Sequence, residues 1–193
     1  YQTILAAFDS LPENSTIAFA PKTYIFTHTP ISLKTFHFKG PATLKRENQI
    51  TYTLREPADE FSTTLILDNV DGLIPGDRFL ITLGQDHNKT TIINAITQIM
   101  GDTIQFYLPI GRTADNLDGT YPAGTKLFKN INFFWVLAGT YPYESCSFTD
   151  LVFDGNRDNN KGSYSWTLNS AVIALTKETT QYSNCKFINS PGE

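Results

Sequence analysis

Cysteine and methionine are nearly missing from this chain, which has two of the one and a single copy of the other in 193 residues. Cys146 and Cys185 are too few for a disulfide scaffold and lack the paired spacing of a zinc site, so both read as small apolar packing residues. Charge is scarce too: Asp, Glu, Lys and Arg make up 18% of the chain, against about 25% in an average soluble domain. The net charge of -4 leaves no basic surplus to neutralise a phosphate backbone, which argues against nucleic acid as a partner. No apolar run approaches the roughly 18 residues of a membrane span, and no basic segment leads into an apolar run with a cleavage site. Neither membrane insertion nor a signal peptide is expected. Catalytic signatures are equally thin. There is no Gly-x-Ser-x-Gly elbow, no His-Glu-x-x-His pair and no glycine-rich phosphate loop, and His28, His37 and His87 are scattered. No metal, no cofactor and no catalytic residue is expected from these 193 positions.

What is abundant points to strands. The chain holds 25 Thr and 17 Ile together with 14 Phe and 9 Tyr, side chains that suit a pleated, half-buried surface. Asn (14), Gly (12) and Pro (10) distribute turn-forming residues along the whole length, which excludes a helical bundle or coiled coil. The exception is 3–11, where Ile4, Ala7, Phe8 and Leu11 form one apolar stripe at helical spacing until Pro12-Glu13-Asn14 stops it. Short strands are then expected at 16–20, 24–26, 31–33, 35–39 and 42–44, with Gly40-Pro41 as a break between the last two. His37 alternates with Phe36 and Phe38 and is expected on the outer side of its strand.

From about residue 65 the texture changes to turn-punctuated strands of the antiparallel kind. Asp71-Gly72, Pro75-Gly76-Asp77, Gly101-Asp102 and Pro122-Ala123-Gly124 separate them, and a continuous strand at 90–99 is expected to turn at Met100-Gly101-Asp102-Thr103 into 104–108. Three parts are therefore predicted: 1–64 as a helical cap and first coil, 65–129 as an inserted antiparallel β-barrel or sandwich, and 130–193 as continuing coils. Phe153 and Phe187 lie 34 residues apart, within the ~20–45 residues of a solenoid repeat, and are expected to stack in neighbouring coils.

The starter helix, the run Thr16-Ile17-Ala18-Phe19-Ala20-Pro21-Lys22-Thr23-Tyr24, the strand ending at Lys39-Gly40, and the segments Phe153-Asp154-Gly155-Asn156-Arg157 and Asn184-Cys185-Lys186-Phe187-Ile188-Asn189-Ser190 resemble pectate-lyase-like right-handed parallel β-helix proteins. Lys22 stands where that family's turn carries glycine. The inserted part, with Ile74-Pro75-Gly76-Asp77 and Tyr121-Pro122-Ala123-Gly124-Thr125, resembles a small β-module of bacteriophage tail spikes. The resemblance implies an all-β, right-handed parallel β-helix with a capping helix. It further implies a structural part of a phage tail spike or tail fibre in the virion tail, a homotrimer joined to other tail proteins and contacting host cell-surface polysaccharide. Two alternatives are the N-terminal part of a secreted polysaccharide lyase, hydrolase or epimerase, and a bacterial β-helical adhesin, since one coil hosts many functions. The start at Tyr1 and the uncovered coil edge at Asn189 to Glu193 suggest a piece of a longer polypeptide.

Candidate contact residues follow from loop chemistry. Arg157, Tyr164 and Trp166 lie in or beside a polar loop and are the glycan-binding candidates, the aromatic pair by stacking on sugar rings. Asp150, Asp154 and Asp158 are weaker acidic candidates, because Asp154-Gly155-Asn156 is a turn sequence whose side chains bond to local backbone.

Overall fold

Alternation of apolar and polar residues, with turn residues closing short runs, makes the described residues β apart from the first helix and one 3-10 turn. The structure, a computed structural model, describes residues 2–32, 34–83, 90–93, 95–106, 120–131, 134–136, 146–160, 172–174 and 180–189. It divides into two compact units, one comprising Tyr1–Glu47, Ile131–Arg157 and Ser170–Ser190, the other Asn48–Asn130, Asp158–Asn169 and Pro191–Glu193.

In the first unit, α1 (Gln2–Ser10) buries Phe8, which stacks on Phe36 at 5.1 Å, while Ile4, Leu5 and Leu11 pack against the same core. Its C-terminal carbonyls are met by one side chain. Lys34 Nζ donates to the oxygens of Phe8 (2.9 Å), Asp9 (3.2 Å) and Leu11 (3.0 Å), a cation placed where the helix leaves acceptors unsatisfied. Behind the helix lies a wholly parallel sheet. Strand β4 (His37–Arg46) pairs on one side with β1 (Thr16–Ala18) and β2 (Thr23–Phe26), and on the other with β15 (Cys146–Asp154). Strand β15 in turn pairs with β17 (Thr180–Ser183) and β18 (Lys186–Ile188). A second parallel sheet runs β3 (Ile31–Ser32), β14 (Phe134–Val136), β16 (Val172–Ala174).

Register aligns the aromatic residues into columns. Ile17, Phe38, Phe148 and Tyr182 occupy equivalent positions on successive strands, as do Tyr24, Leu44, Phe153 and Phe187. Ring centroids are 5.0 Å apart for Phe38–Phe148, 5.2 Å for Phe148–Tyr182 and 4.9 Å for Phe153–Phe187, all near parallel. The expected stacking of Phe153 on Phe187 is thus present. Burial falls along each column, from Phe148 and Phe153 at 0% and 1% exposed to Tyr182 and Phe187 at 42% and 51%.

The expected break at Gly40-Pro41 is absent, because β4 runs unbroken through it. The strand bends there instead. Gly40-Pro41 is a cis peptide, and β15 answers with an irregularity between Thr149 and Leu151 where Asp150 adopts φ 57°. A Cβ at Gly40 would overlap the Asp150 carbonyl oxygen, so glycine is required by close approach. Asn184, the equivalent residue one layer on, takes φ 51°, a conformation its short polar side chain tolerates.

The second unit is antiparallel. Strands β5 (Thr51–Thr53), β13 (Lys126–Asn130), β8 (Arg78–Thr82) and β9 (Thr90–Ile93) form one sheet in that order. Strands β7 (Thr64–Ile66), β11 (Thr103–Phe106) and β10 (Ile96–Met100) form another, and β6 (Ala58–Asp59) pairs with β12 (Thr120–Tyr121). The hairpin at Gly101-Asp102 forms as expected, with Gly101 at φ 58°. The continuous strand expected at 90–99 does not form: β9 pairs with β8 and β10 pairs with β11, in separate sheets. Within the core, Lys129 Nζ lies 3.0 Å from Asp77 Oδ2, both side chains almost fully buried, and also donates to Gly72 O at 3.1 Å. Asp77 accepts the Ile74 N–H at 2.9 Å, so this pair ties the loop before β8 to β13.

Candidate functional site

The inward aromatic columns of the parallel layers are apolar, with Ser32 and Arg46 the buried polar side chains of their described strands, and the exposed chemistry lies at the outward positions and the bend. Thr16, His37, Ser147 and Gln181 share one outward row, and Thr23, Thr43, Val152 and Lys186 another. Beside the bend, Pro21, Lys22, Thr23, Pro41, Ala42, Thr43, Asp150 and Val152 line a shallow groove of about 340 Å³. A second, more apolar cavity of about 440 Å³ lies between α1 and the first layer, lined by residues including Ile4, Ala7, Phe19 and Tyr24.

The polar groups of the groove are held from below. Lys22 Nζ sits 4.9 Å from the Tyr24 ring centre, and the Tyr24 hydroxyl accepts the Ala20 N–H at 3.0 Å. Asp150 Oδ1 accepts Asn184 Nδ2 at 2.7 Å. Four residues further on, Asp154 Oδ1 accepts the Asn156 N–H at 2.9 Å and Asn189 Nδ2 at 3.0 Å, with Lys45 Nζ 3.9 Å from its other oxygen. Asn156, at φ 54°, donates its own Nδ2 to the Arg46 carbonyl at 3.0 Å. Asp154 therefore performs the local turn bonding that its sequence context predicts. Arg157 and Asp158 are exposed on a one-turn 3-10 helix, Arg157–Asn159, where the Arg157 N–H donates to Asn189 O at 3.0 Å. Tyr164 and Trp166 lie outside the described residues. The structure thus brings Asp150 into the groove, places Asp154 on the same outward side of β15, and sets Arg157 and Asp158 on the turn beyond.

Three groove residues, Lys22, Thr23 and Thr43, escape sequence reasoning because a solvent-facing Lys or Thr on a strand carries no local signal. Ser183-Asn184-Cys185-Lys186 has the Ser-x-x-Lys spacing of a nucleophile motif. In the structure it is strand, bend and strand, rather than one turn of helix that would set the two side chains together. His37 faces outward as expected, and its Nδ1 lies 2.7 Å from Ser147 Oγ on the next layer. Among the described residues no three His, Cys, Asp or Glu side chains converge to hold a metal ion. Burial pushes the Cys146 thiol up to about 11, and its Sγ donates to the Phe36 carbonyl at 3.2 Å. That thiol is inert at neutral pH. The arrangement can offer hydrogen bonds and fixed charges along a bent, layered surface.

No protein-family model matches the sequence, and no curated protein matches it. Solved structures similar to the chain include three bacteriophage tailspikes. The tailspike of Pseudomonas phage phi297 shares 11% identity over 77% of this chain and 29% of its own, with a TM-score of 0.36. That of Acinetobacter baumannii bacteriophage AP22, solved with A. baumannii capsular saccharide, shares 12% over 96% and 35%, with a TM-score of 0.36. The tailspike of Pseudomonas phage LKA1 shares 12% over 94% and 33%, with a TM-score of 0.38. The chain spans about a third of the length of these proteins.

Proposed function

We propose that the parallel layers are coils of a right-handed β-helix and that the chain is a structural part of a phage tail spike or tail fibre, which contacts host cell-surface polysaccharide along its outward groove. The observation that carries this reading is the in-register stacking of Phe38, Phe148 and Tyr182, and of Phe153 and Phe187, beneath a polar outer surface. Such a stack repeats its outward side chains at the layer spacing of about 4.8 Å, a regular array along which a polymer can lie. The resemblance of Thr16 to Tyr24 and of the segments around Phe153 and Phe187 to β-helix coils supports the same reading.

The reading gives Asp150 and Asp154 a structural role, both being engaged by asparagine side chains of the next layer, and leaves to the parent protein any pair of carboxyl groups about 5–10 Å apart of the kind a glycosidase sets across one sugar. The test is to incubate the purified chain with capsular, O-antigen and plant uronate polymers and to follow binding, new reducing ends and unsaturated sugar products. Binding without cleavage is expected. Cleavage that disappears in folded Asp154→Ala and Arg157→Ala variants would favour an enzyme instead. The proposed homotrimer is tested separately by sedimentation equilibrium.

A further inference from the structure

We infer that the polysaccharide held by this outward face is acidic, and that Lys22 in the groove, with Lys39 and Lys186 on the strands beside it, reads its negative groups. This rests on the glycan reading above and names the ligand class for the same surface. Although the chain has a net charge of -4, the outward side of 16–25, 37–45, 147–154 and 181–188 carries four lysines, Lys22, Lys39, Lys45 and Lys186, against two carboxylates, Asp150 and Asp154. Lys45 lies 3.9 Å from Asp154, and the two charges answer each other. Asp150 is oriented by the Asn184 amide at 2.7 Å, a neutral donor that leaves its charge in place. Three exposed ammonium groups therefore remain beside one carboxylate.

The layers distribute these charges in order. Lys22 belongs to the first layer, Lys39 to the second just before the Gly40 bend, Asp150 to the third and Lys186 to the fourth. Successive layers stand about 4.8 Å apart, and the cations fall on two rows, Lys186 in register with Val152, Thr43 and Thr23 and Lys39 four residues before Thr43, so three layers each present a cation and one an acceptor. Thr23, Thr43 and Asn184 supply hydroxyl and amide groups between. The described outward positions of these strands hold no Phe, Tyr or Trp, so recognition here falls to charge-assisted hydrogen bonds rather than to stacking of sugar faces. Asp150 accepts hydroxyl hydrogens and disfavours an acidic unit on its own layer, which fits a repeat that mixes acidic and neutral sugars.

The experiment measures binding of the intact chain to bacterial polysaccharides sorted by whether the repeat carries a uronate, sialate or phosphate group. It compares the wild type, Lys22→Ser/Lys39→Ser/Lys186→Ser, and Lys126→Ser as a control outside the groove, with circular dichroism confirming each fold. Binding confined to acidic repeats is expected, weakened at about 1 M salt, where screening acts within about 3 Å. The triple variant should lose at least roughly tenfold, the scale of one charge-assisted bond, while Lys126→Ser keeps its affinity. Equal binding of neutral repeats, unchanged in the triple variant, overturns the inference and leaves the glycan reading standing. Acidic binding that survives in the triple variant overturns the assignment to this face. Failure to bind any polysaccharide overturns both.

Discussion

Phe153 is buried at 1% exposure between Phe148, at 5.7 Å, and Phe187. Phe153→Ala is expected to cost about 3–5 kcal/mol in urea unfolding, as for a core aromatic. A cost below about 1 kcal/mol would place the ring outside the core. Phe187, half exposed on the last described layer, should cost less. Cys146 gives a pH signature. Its thiol is pushed up to about 11 from an ordinary value near 9, so the folded chain keeps a proton that the unfolded chain releases. Stability is then complete below pH 9 and falls as pH rises towards 11. Arg46 and Arg78, pushed down to about 10 by burial, and Tyr182, pushed up to about 12, titrate over an overlapping range. The share of Cys146 in the interval from pH 9 to 10 is therefore isolated by comparing the wild type with Cys146→Ala. A loss of up to about 1 kcal/mol is expected across it, and Cys146→Ala should flatten the slope in denaturant titrations.

The bend of β4 shows how an element depends on its neighbour. Gly40 and the Asp150 carbonyl occupy the same space that a side chain would need, and backbone yields less readily than a side-chain tip. Gly40→Ala is expected to destabilise by about 1–3 kcal/mol, the range for overpacking, and to speed amide exchange at Thr149 and Leu151 more than in β1. Unchanged exchange there would mean that β15 does not depend on the bend. Much of this region is legible from residue types. The helix stripe, the outward His37 and the 34-residue spacing of the phenylalanines all survive in the structure, because each depends on a period along one element. The bend does not, since Gly-Pro signals a turn whenever its surroundings are unknown.

For the molecule as a whole, the division into 1–64, 65–129 and 130–193 stands as our proposal, set beside a second compact unit whose antiparallel pairing takes in β5 at Thr51. Replacing 48–130 by a short Gly/Ser linker should leave the parallel layers formed, read by circular dichroism and by a cooperative thermal transition. Loss of the β signal would show that the antiparallel unit completes the parallel core. The class of the fold, the inward aromatics and the positions of most turns follow from composition and alternation, which are local properties set by backbone sterics and side-chain burial. Partner choice is different. His37 meets Ser147 across 110 positions, and 90–99 splits between two sheets. Lys22, Thr43 and Asp150 reach one groove from three separate strands or bends. These pairings are decided by which distant strands bury each other's apolar faces once the loops between them close, a balance that no window of neighbouring residues contains.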